Sequence, residues 1–126
     1  MTVGKILVAE DNAVNQKLIT MMLKELGLAA DVANDGREAV QRFVAERYSL
    51  IIMDVSMPIL DGLGATEQIL ELEKRQNLTH TPIIALTAHA IKGDREKFIN
   101  AGMDDYLSKP IDMESLRGVV SKFLDG

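Results

Sequence analysis

Cysteine and tryptophan are both absent from the 126 residues. Without cysteine there are no disulfides and no thiolate chemistry, which suits a reducing compartment. Aromatic residues make up only 4%, so the core has to be aliphatic and filled with methionine. No basic stripe stands out, and the net charge is −5. That argues against binding a phosphate backbone. No apolar run approaches the roughly 18 residues a membrane span needs. The opening Met1-Thr-Val-Gly-Lys5 lacks a signal-peptide core. Linkers, repeats and low-complexity tracts are missing too. What is left is an ordinary globular balance, 47% hydrophobic and 26% charged, at about the commonest size of one domain. The expectation is one soluble, cytoplasmic domain over residues 1–126.

The most informative stretch is Leu50-Ile-Ile-Met-Asp-Val-Ser-Met-Pro58. Four apolar residues run into a carboxylate, and a proline follows four positions later. A short continuous apolar run bounded by turn signals fits a strand buried on both faces. Pro58 cannot donate to a strand ladder, so the strand ends before it. Asp54 is then placed at the carboxyl end of a central strand, the rim where open α/β sheets bind ligands. The plainer reading of Asp54 is a solubilising loop residue.

The remaining chain alternates. Lys5–Ala9 reads as a strand ended by Glu10-Asp11-Asn12. Val14, Leu18, Met21, Met22 and Leu26 recur at helical spacing, with Gly27 as a stop. Leu28–Ala33 is a weaker strand, followed by the turn Asn34-Asp35-Gly36. Ala39, Val40, Phe43 and Val44 mark a second helix. Asp61-Gly62 starts a third, carrying Ile69 and Leu70. Asn77–Thr81 is a polar loop and Pro82–Leu86 a fourth strand. Ile91–Asn100 is a helix with a thin apolar face, stopped near Gly102. Tyr106-Leu107 is a short fifth strand, and Met113, Leu116, Val119, Val120 and Phe123 mark the last helix. Five strand–helix alternations argue for parallel crossovers with helices on both faces. The expected fold is α/β, a flavodoxin-like doubly wound five-stranded parallel sheet of order 2-1-3-4-5 with five helices. The second strand is the most polar and suits an edge.

In such a sheet the polar strand exits share one rim: Glu10 and Asp11, Asp54, Thr87 and Lys109. Three clustered carboxylates repel one another, and a divalent cation relieves that repulsion. The ligands on offer are all oxygens, which suits magnesium. A lysine beside the metal is equipment for holding a phosphoryl group. A carboxylate can itself be the nucleophile, forming an aspartyl-phosphate.

These residues resemble a known family. Glu10-Asp11, Asp54 with Met57-Pro58, Thr87-Ala88 and Lys109-Pro110 look like the receiver domain of two-component response regulators. The resemblance covers essentially the whole chain. The stretches 11–17 (Asp-Asn-Ala-Val-Asn-Gln-Lys), 85–90 (Ala-Leu-Thr-Ala-His-Ala) and 101–110 (Ala-Gly-Met-Asp-Asp-Tyr-Leu-Ser-Lys-Pro) look most like receivers attached to hybrid histidine kinases. The resemblance implies that Asp54 accepts phosphate from a phosphohistidine. It implies Mg2+, with Mn2+ as a substitute, held by Glu10, Asp11, Asp54 and the Ser56 backbone carbonyl. Thr87 and the Ala88 amide would hold phosphoryl oxygens, and Lys109 would pair with one. Asp54, Lys109 and Thr87 form the catalytic set, and Thr87 with Tyr106 the switch. A cis bond before Pro110 is expected, and Ser56 and His89 look like tuners of hydrolysis. Such a domain is no ordinary enzyme; it assists its own phosphorylation and dephosphorylation. The implied partner is a histidine kinase or histidine phosphotransfer domain, docking over the first helix, where Met21, Met22 and Leu26 offer apolar surface. Neither nucleic acid binding nor membrane insertion is implied.

Plainer readings stand beside these. Asn12 or Asp11 could simply cap the first helix. Asp61 is a helix cap without chemistry. Tyr106 could be half-buried packing, His89 an exposed loop residue, and Asp104 and Asp105 solvated. A phosphorylation-independent pseudo-receiver is the alternative binding module. An aspartyl-phosphate phosphatase would resemble Asp-x-Asp, and position 56 is serine. A P-loop enzyme is excluded by the missing Gly-x-x-x-x-Gly-Lys. With no output domain after residue 126, the chain either acts by docking or was cut from a larger hybrid kinase.

Overall fold

The computed structural model describes residues 4–88 and 92–124. Among them five strands alternate with five helices. They are β1 (Ile6–Ala9), α1 (Ala13–Glu25), β2 (Ala30–Ala33), α2 (Gly36–Ala45), β3 (Leu50–Asp54), α3 (Gly62–Arg75), β4 (Ile83–Thr87), α4 (Lys92–Asn100), β5 (Asp105–Ser108) and α5 (Met113–Leu124). The strands form one parallel sheet in the order β2-β1-β3-β4-β5. This is the doubly wound arrangement the alternation predicts, with the polar β2 at an edge.

Strand periodicity divides the core in two. Leu7, Ala9, Ile51, Met53, Ile83 and Ala85 point to one face, where Phe43, Ile69 and Phe98 of α2, α3 and α4 cover them. Ile6, Val8, Leu50, Ile52, Ile84 and Leu86 point to the other, under Ile19, Leu23, Leu116 and Val119 of α1 and α5. Every residue of β1, β3 and β4 is buried. Each such Ile, Leu or Val side chain contributes about 1.5–3 kcal/mol, so these three strands make the rigid floor of the molecule.

Helix ends follow local chemistry. Asn12, Asp35, Asp61 and Asp112 each accept a backbone N–H three residues on, at 2.8–3.0 Å. These are side-chain caps at the starts of α1, α2, α3 and α5. Three helices stop at a residue of positive φ: Gly27 at 80°, Asn77 at 53° and Gly102 at 97°. The next residue then bonds back five positions, Leu28 to Leu23, Leu78 to Glu73 and Met103 to Phe98. That is the Schellman closure. It shortens the second strand. Leu28 is spent on closing α1, so β2 begins at Ala30 rather than Leu28.

The fourth helix begins at Lys92, and Ile91, which would extend it, lies outside the described residues, as does His89. The carboxylates of Asp104 and Asp105 keep part of their exposure to solvent but are paired rather than left to it alone. Asp104 accepts the Ile83 N–H at 2.8 Å and meets the His80 ring at 2.9 Å. Asp105 pairs with Lys122 at 3.0 Å. His80 also meets Glu73, a nearly buried residue of α3, at 2.7 Å. Glu73 in turn accepts the Thr81 N–H at 2.7 Å. One imidazole thus ties the end of α3, the start of β4 and the loop before β5, at the end of the sheet opposite the acidic rim.

Candidate functional site

Register brings the polar exits level. Ala9 pairs with Met53, Asp54 with Leu86 and Thr87 with Ser108. Glu10, Asp54, Thr87 and Lys109 therefore leave four neighbouring strands at one rim. Glu10 and Asp54 are buried, Thr87 is 2% exposed, and Asp11 is exposed. Carboxylate oxygens of Glu10, Asp11 and Asp54 lie within 4.8 Å of one another.

The Asp54 carboxylate is held from both sides. Its Oδ1 accepts the Ser56 N–H at 3.0 Å. Its Oδ2 accepts from Lys109 Nζ at 2.8 Å. Lys109 also lies 3.3 Å from Glu10 Oε2. Burial pulls the Lys109 ammonium down, yet the hydrogen bond and charge of Asp54, with Glu10, outweigh it and hold the group above its ordinary value. Burial, and then the neighbouring Asp54, push the Glu10 carboxyl up.

The residues fit a magnesium ion. All the donors are oxygens, and two of the three acids are out of water, where their mutual repulsion is weakly screened. Glu10 Oε2 is buried, has no hydrogen bond and faces the Lys109 ammonium at 3.3 Å, an oxygen already set toward positive charge. Ser56 is exposed, two residues beyond the end of β3.

Thr87 ends β4 fully buried, and its carbonyl accepts the Lys109 N–H at 2.8 Å. Ala88 follows at the surface. The Lys109–Pro110 peptide is cis, as the resemblance leads one to expect. Tyr106 stands apart from the acids. It is half-buried in β5 beside Ala85, packs on the face of α2, α3 and α4, and has the Arg95 guanidinium 5.7 Å from its ring centre.

The first helix presents a different apolar face from the one expected. Met22 and Leu26 turn inward against the core, whereas Val14, Leu18 and Met21 are 76%, 39% and 58% exposed. Positions i, i+4 and i+7 form one stripe, running from the acidic rim along α1. Ile59, 77% exposed in the loop after β3, has a φ of 70°, a left-handed conformation that is an outlier for a β-branched residue.

Asn15 and Gln16 carry no role in the sequence reading, yet both reach back to Glu10. The Asn15 amide donates to Glu10 Oε1 at 3.2 Å. Gln16 donates to the Glu10 carbonyl and to Asn34 Oδ1. The signal was their place in the first turn of a helix that starts two residues after the acids.

Comparisons with known proteins fit this geometry. The family model for the response regulator receiver domain matches residues 6–121. Over 122 residues the chain is 47% identical to hybrid signal transduction histidine kinase I of Dictyostelium discoideum, covering 93% of this chain and 7% of that one. Over 121 residues it is 39% identical to the signal transduction histidine-protein kinase BarA of Escherichia coli strain K12, covering 96% and 13%. The chain thus spans only about a tenth of the length of these relatives. Among solved structures, it overlays the receiver domain of a Pseudomonas aeruginosa sensor histidine kinase that has a magnesium ion coordinated in its active site cleft. The TM-score is 0.86 and the identity 41%, over 99% of this chain and 100% of that one. It also overlays the receiver domain of Ssk1, solved with the histidine phosphotransfer protein Ypd1 of Saccharomyces cerevisiae. There the TM-score is 0.88 and the identity 30%, over 98% and 91%.

Proposed function

The chain belongs to the response regulator receiver domain family, and from that membership we propose that it is a phosphoacceptor module of a phosphorelay, phosphorylated on Asp54. One observation carries the assignment of the residue. Asp54 ends the central strand at 1% exposure, with its two oxygens divided between the Ser56 amide and the Lys109 ammonium, beside Glu10 and Asp11.

An Asp54 oxygen attacks phosphorus in line, the phosphorus–nitrogen bond of a phosphohistidine breaks, and its electron pair goes to the imidazole. Glu10, Asp11, Asp54 and the Ser56 carbonyl would hold Mg2+, with Mn2+ as a substitute. When bound, the cation neutralises charge developing on the phosphoryl oxygens. Lys109 leaves its contact with Asp54 Oδ2 for a phosphoryl oxygen, while Thr87 and the Ala88 amide take the others. The arrangement works by positioning and charge stabilisation.

The donor is a histidine on a helix of a kinase or phosphotransfer domain. It docks over the rim against the stripe of Val14, Leu18 and Met21, with residues 1–126 acting as one cytoplasmic receiver. Phosphate then shifts the face made by α4, β5 and α5 through Thr87 and Tyr106. The test is intact-mass measurement after incubation with a small phosphodonor and magnesium. One phosphoryl group should be added to the wild type and none to Asp54→Ala. Undiminished labelling of the variant would overturn the assignment.

A further inference from the structure

The carboxylate of Glu10 has to offer an oxygen to a cation while buried beside another acid and 3.3 Å from a lysine. Its own atoms do not fix which way it turns. Two neutral donors do. Oε1 accepts the Asn12 N–H at 3.2 Å and the Asn15 side-chain amide at 3.2 Å. Oε2 of the same group has no hydrogen bond and faces the Lys109 ammonium at 3.3 Å.

The local sequence makes this an unusual helix start. Asn12 is the N-cap, and its Oδ1 accepts the Asn15 N–H at 3.0 Å. Asn15 is then the third helical residue, the place where a capping box carries Glu or Gln reaching back to the cap N–H. Here the cap N–H goes to Glu10 instead, and the side chain at the third position passes over the cap to the same oxygen. The metal-site acid has taken the role of the reciprocating carboxylate. The start of α1 and the acidic rim are thereby one hydrogen-bonded unit.

We propose that Asn15 is a positioning residue for the cation site, anchoring Glu10 Oε1 so that Oε2 is presented to the metal. The inference rests on the phosphoacceptor reading and adds a residue to it. A donor with no charge suits the task. It steadies the ionised carboxylate and does not compete for the cation's place, as the Lys109 ammonium does. Without it, Oε1 keeps one backbone donor, and the carboxylate is free to turn and close further on Lys109, already 3.3 Å from Oε2, at the cation's expense. Partners of metal-ligating carboxylates commonly change metal affinity about 10–100-fold.

The test is calorimetric titration of magnesium into the phosphodonor-free protein, using wild type, Asn15→Ala, Glu10→Gln and the double variant. Asn15→Ala should raise the magnesium Kd about tenfold, and its melting temperature without metal should stay within a few degrees of wild type. The phosphorylation rate should need more magnesium for half-saturation and reach the wild-type value when saturated. In the Glu10→Gln background, Asn15→Ala should cause no further change, because its effect passes through that carboxylate. Wild-type magnesium affinity in Asn15→Ala would overturn the proposal. So would equal weakening in both backgrounds, which would mean general loosening of α1. A wild-type protein that binds no magnesium would instead overturn the phosphoacceptor reading beneath it.

Discussion

Lys109 stands nearer to Asp54 than to Glu10, with its Nζ 2.8 Å from Asp54 Oδ2 and 3.3 Å from Glu10 Oε2. It is the counter-charge at hand for two buried acids. Lys109→Ala should therefore destabilise the metal-free protein at neutral pH. The expected loss is about 2 kcal/mol, less than the 3–5 kcal/mol of a fully buried pair, because Lys109 is 26% exposed. Stability should recover partly as Glu10, whose carboxyl burial holds above its ordinary value, protonates on lowering the pH, and magnesium should raise it more than in the wild type. Denaturant titrations with and without magnesium check this; identical midpoints for variant and wild type would contradict it.

Asp11 has the opposite sign. It is the exposed member of the acidic trio, so Asp11→Ala removes repulsion without leaving a buried group unpaired. Thermal stability without metal should hold or rise. Magnesium affinity should fall, and phosphorylation should slow under limiting magnesium. A wild-type rate under that limit would remove Asp11 from the metal site.

His80 gives a pH dependence at the far end of the sheet. Burial pulls the imidazole down, but the hydrogen bonds and charges of Glu73 and Asp104 outweigh it and hold the group above its ordinary 6.5. A raised folded value means that folding favours the protonated ring. Its contribution is complete below 6.5 and is lost as the pH rises through the folded value. Melting temperatures measured across that window should fall with pH in the wild type more steeply than in His80→Gln. Parallel curves would show that the ring carries no linkage.

Thr87 and Tyr106 form the last prediction. A charge-assisted hydrogen bond from the Thr87 hydroxyl to a phosphoryl oxygen is worth about 1.5–3 kcal/mol, enough to move a two-state population about tenfold. Thr87→Ala should still accept phosphate at Asp54 but fail to shift its output face. Hydrogen exchange over residues 88–106, with and without beryllofluoride, reads that shift. Equal responses in variant and wild type would show that Thr87 does not carry it.

The legible parts of the molecule are those whose signals are local. Continuous apolar runs gave β1, β3 and β4, and side-chain caps at Asn12 and Asp61 gave helix starts. Alternation gave the topology, and the strand exits then gave the acidic rim. Contacts between distant segments were illegible. His80 and Asp104 are 24 residues apart, and nothing in either neighbourhood marks a partner. The face of α1 was misread because Met21 and Met22 are adjacent and both apolar. Spacing alone does not fix the helix's rotation, and packing turned Met22 in and Met21 out.

Gly62 sets how closely α3 sits against the rim. A Cβ at this position would lie 2.2 Å from the Asp54 carbonyl oxygen and 2.8 Å from Val55 Cα. Both are backbone atoms with nowhere to go, and the Gly62 N–H donates to Val55 O. The first turn of α3 is thus seated directly on the end of the acceptor strand. On the same face of the sheet, Phe98 is the one buried side chain among the described side chains of α4. The two helices are thus seated differently beside the rim, α3 by backbone contact with β3 and α4 by a single buried ring among its described side chains.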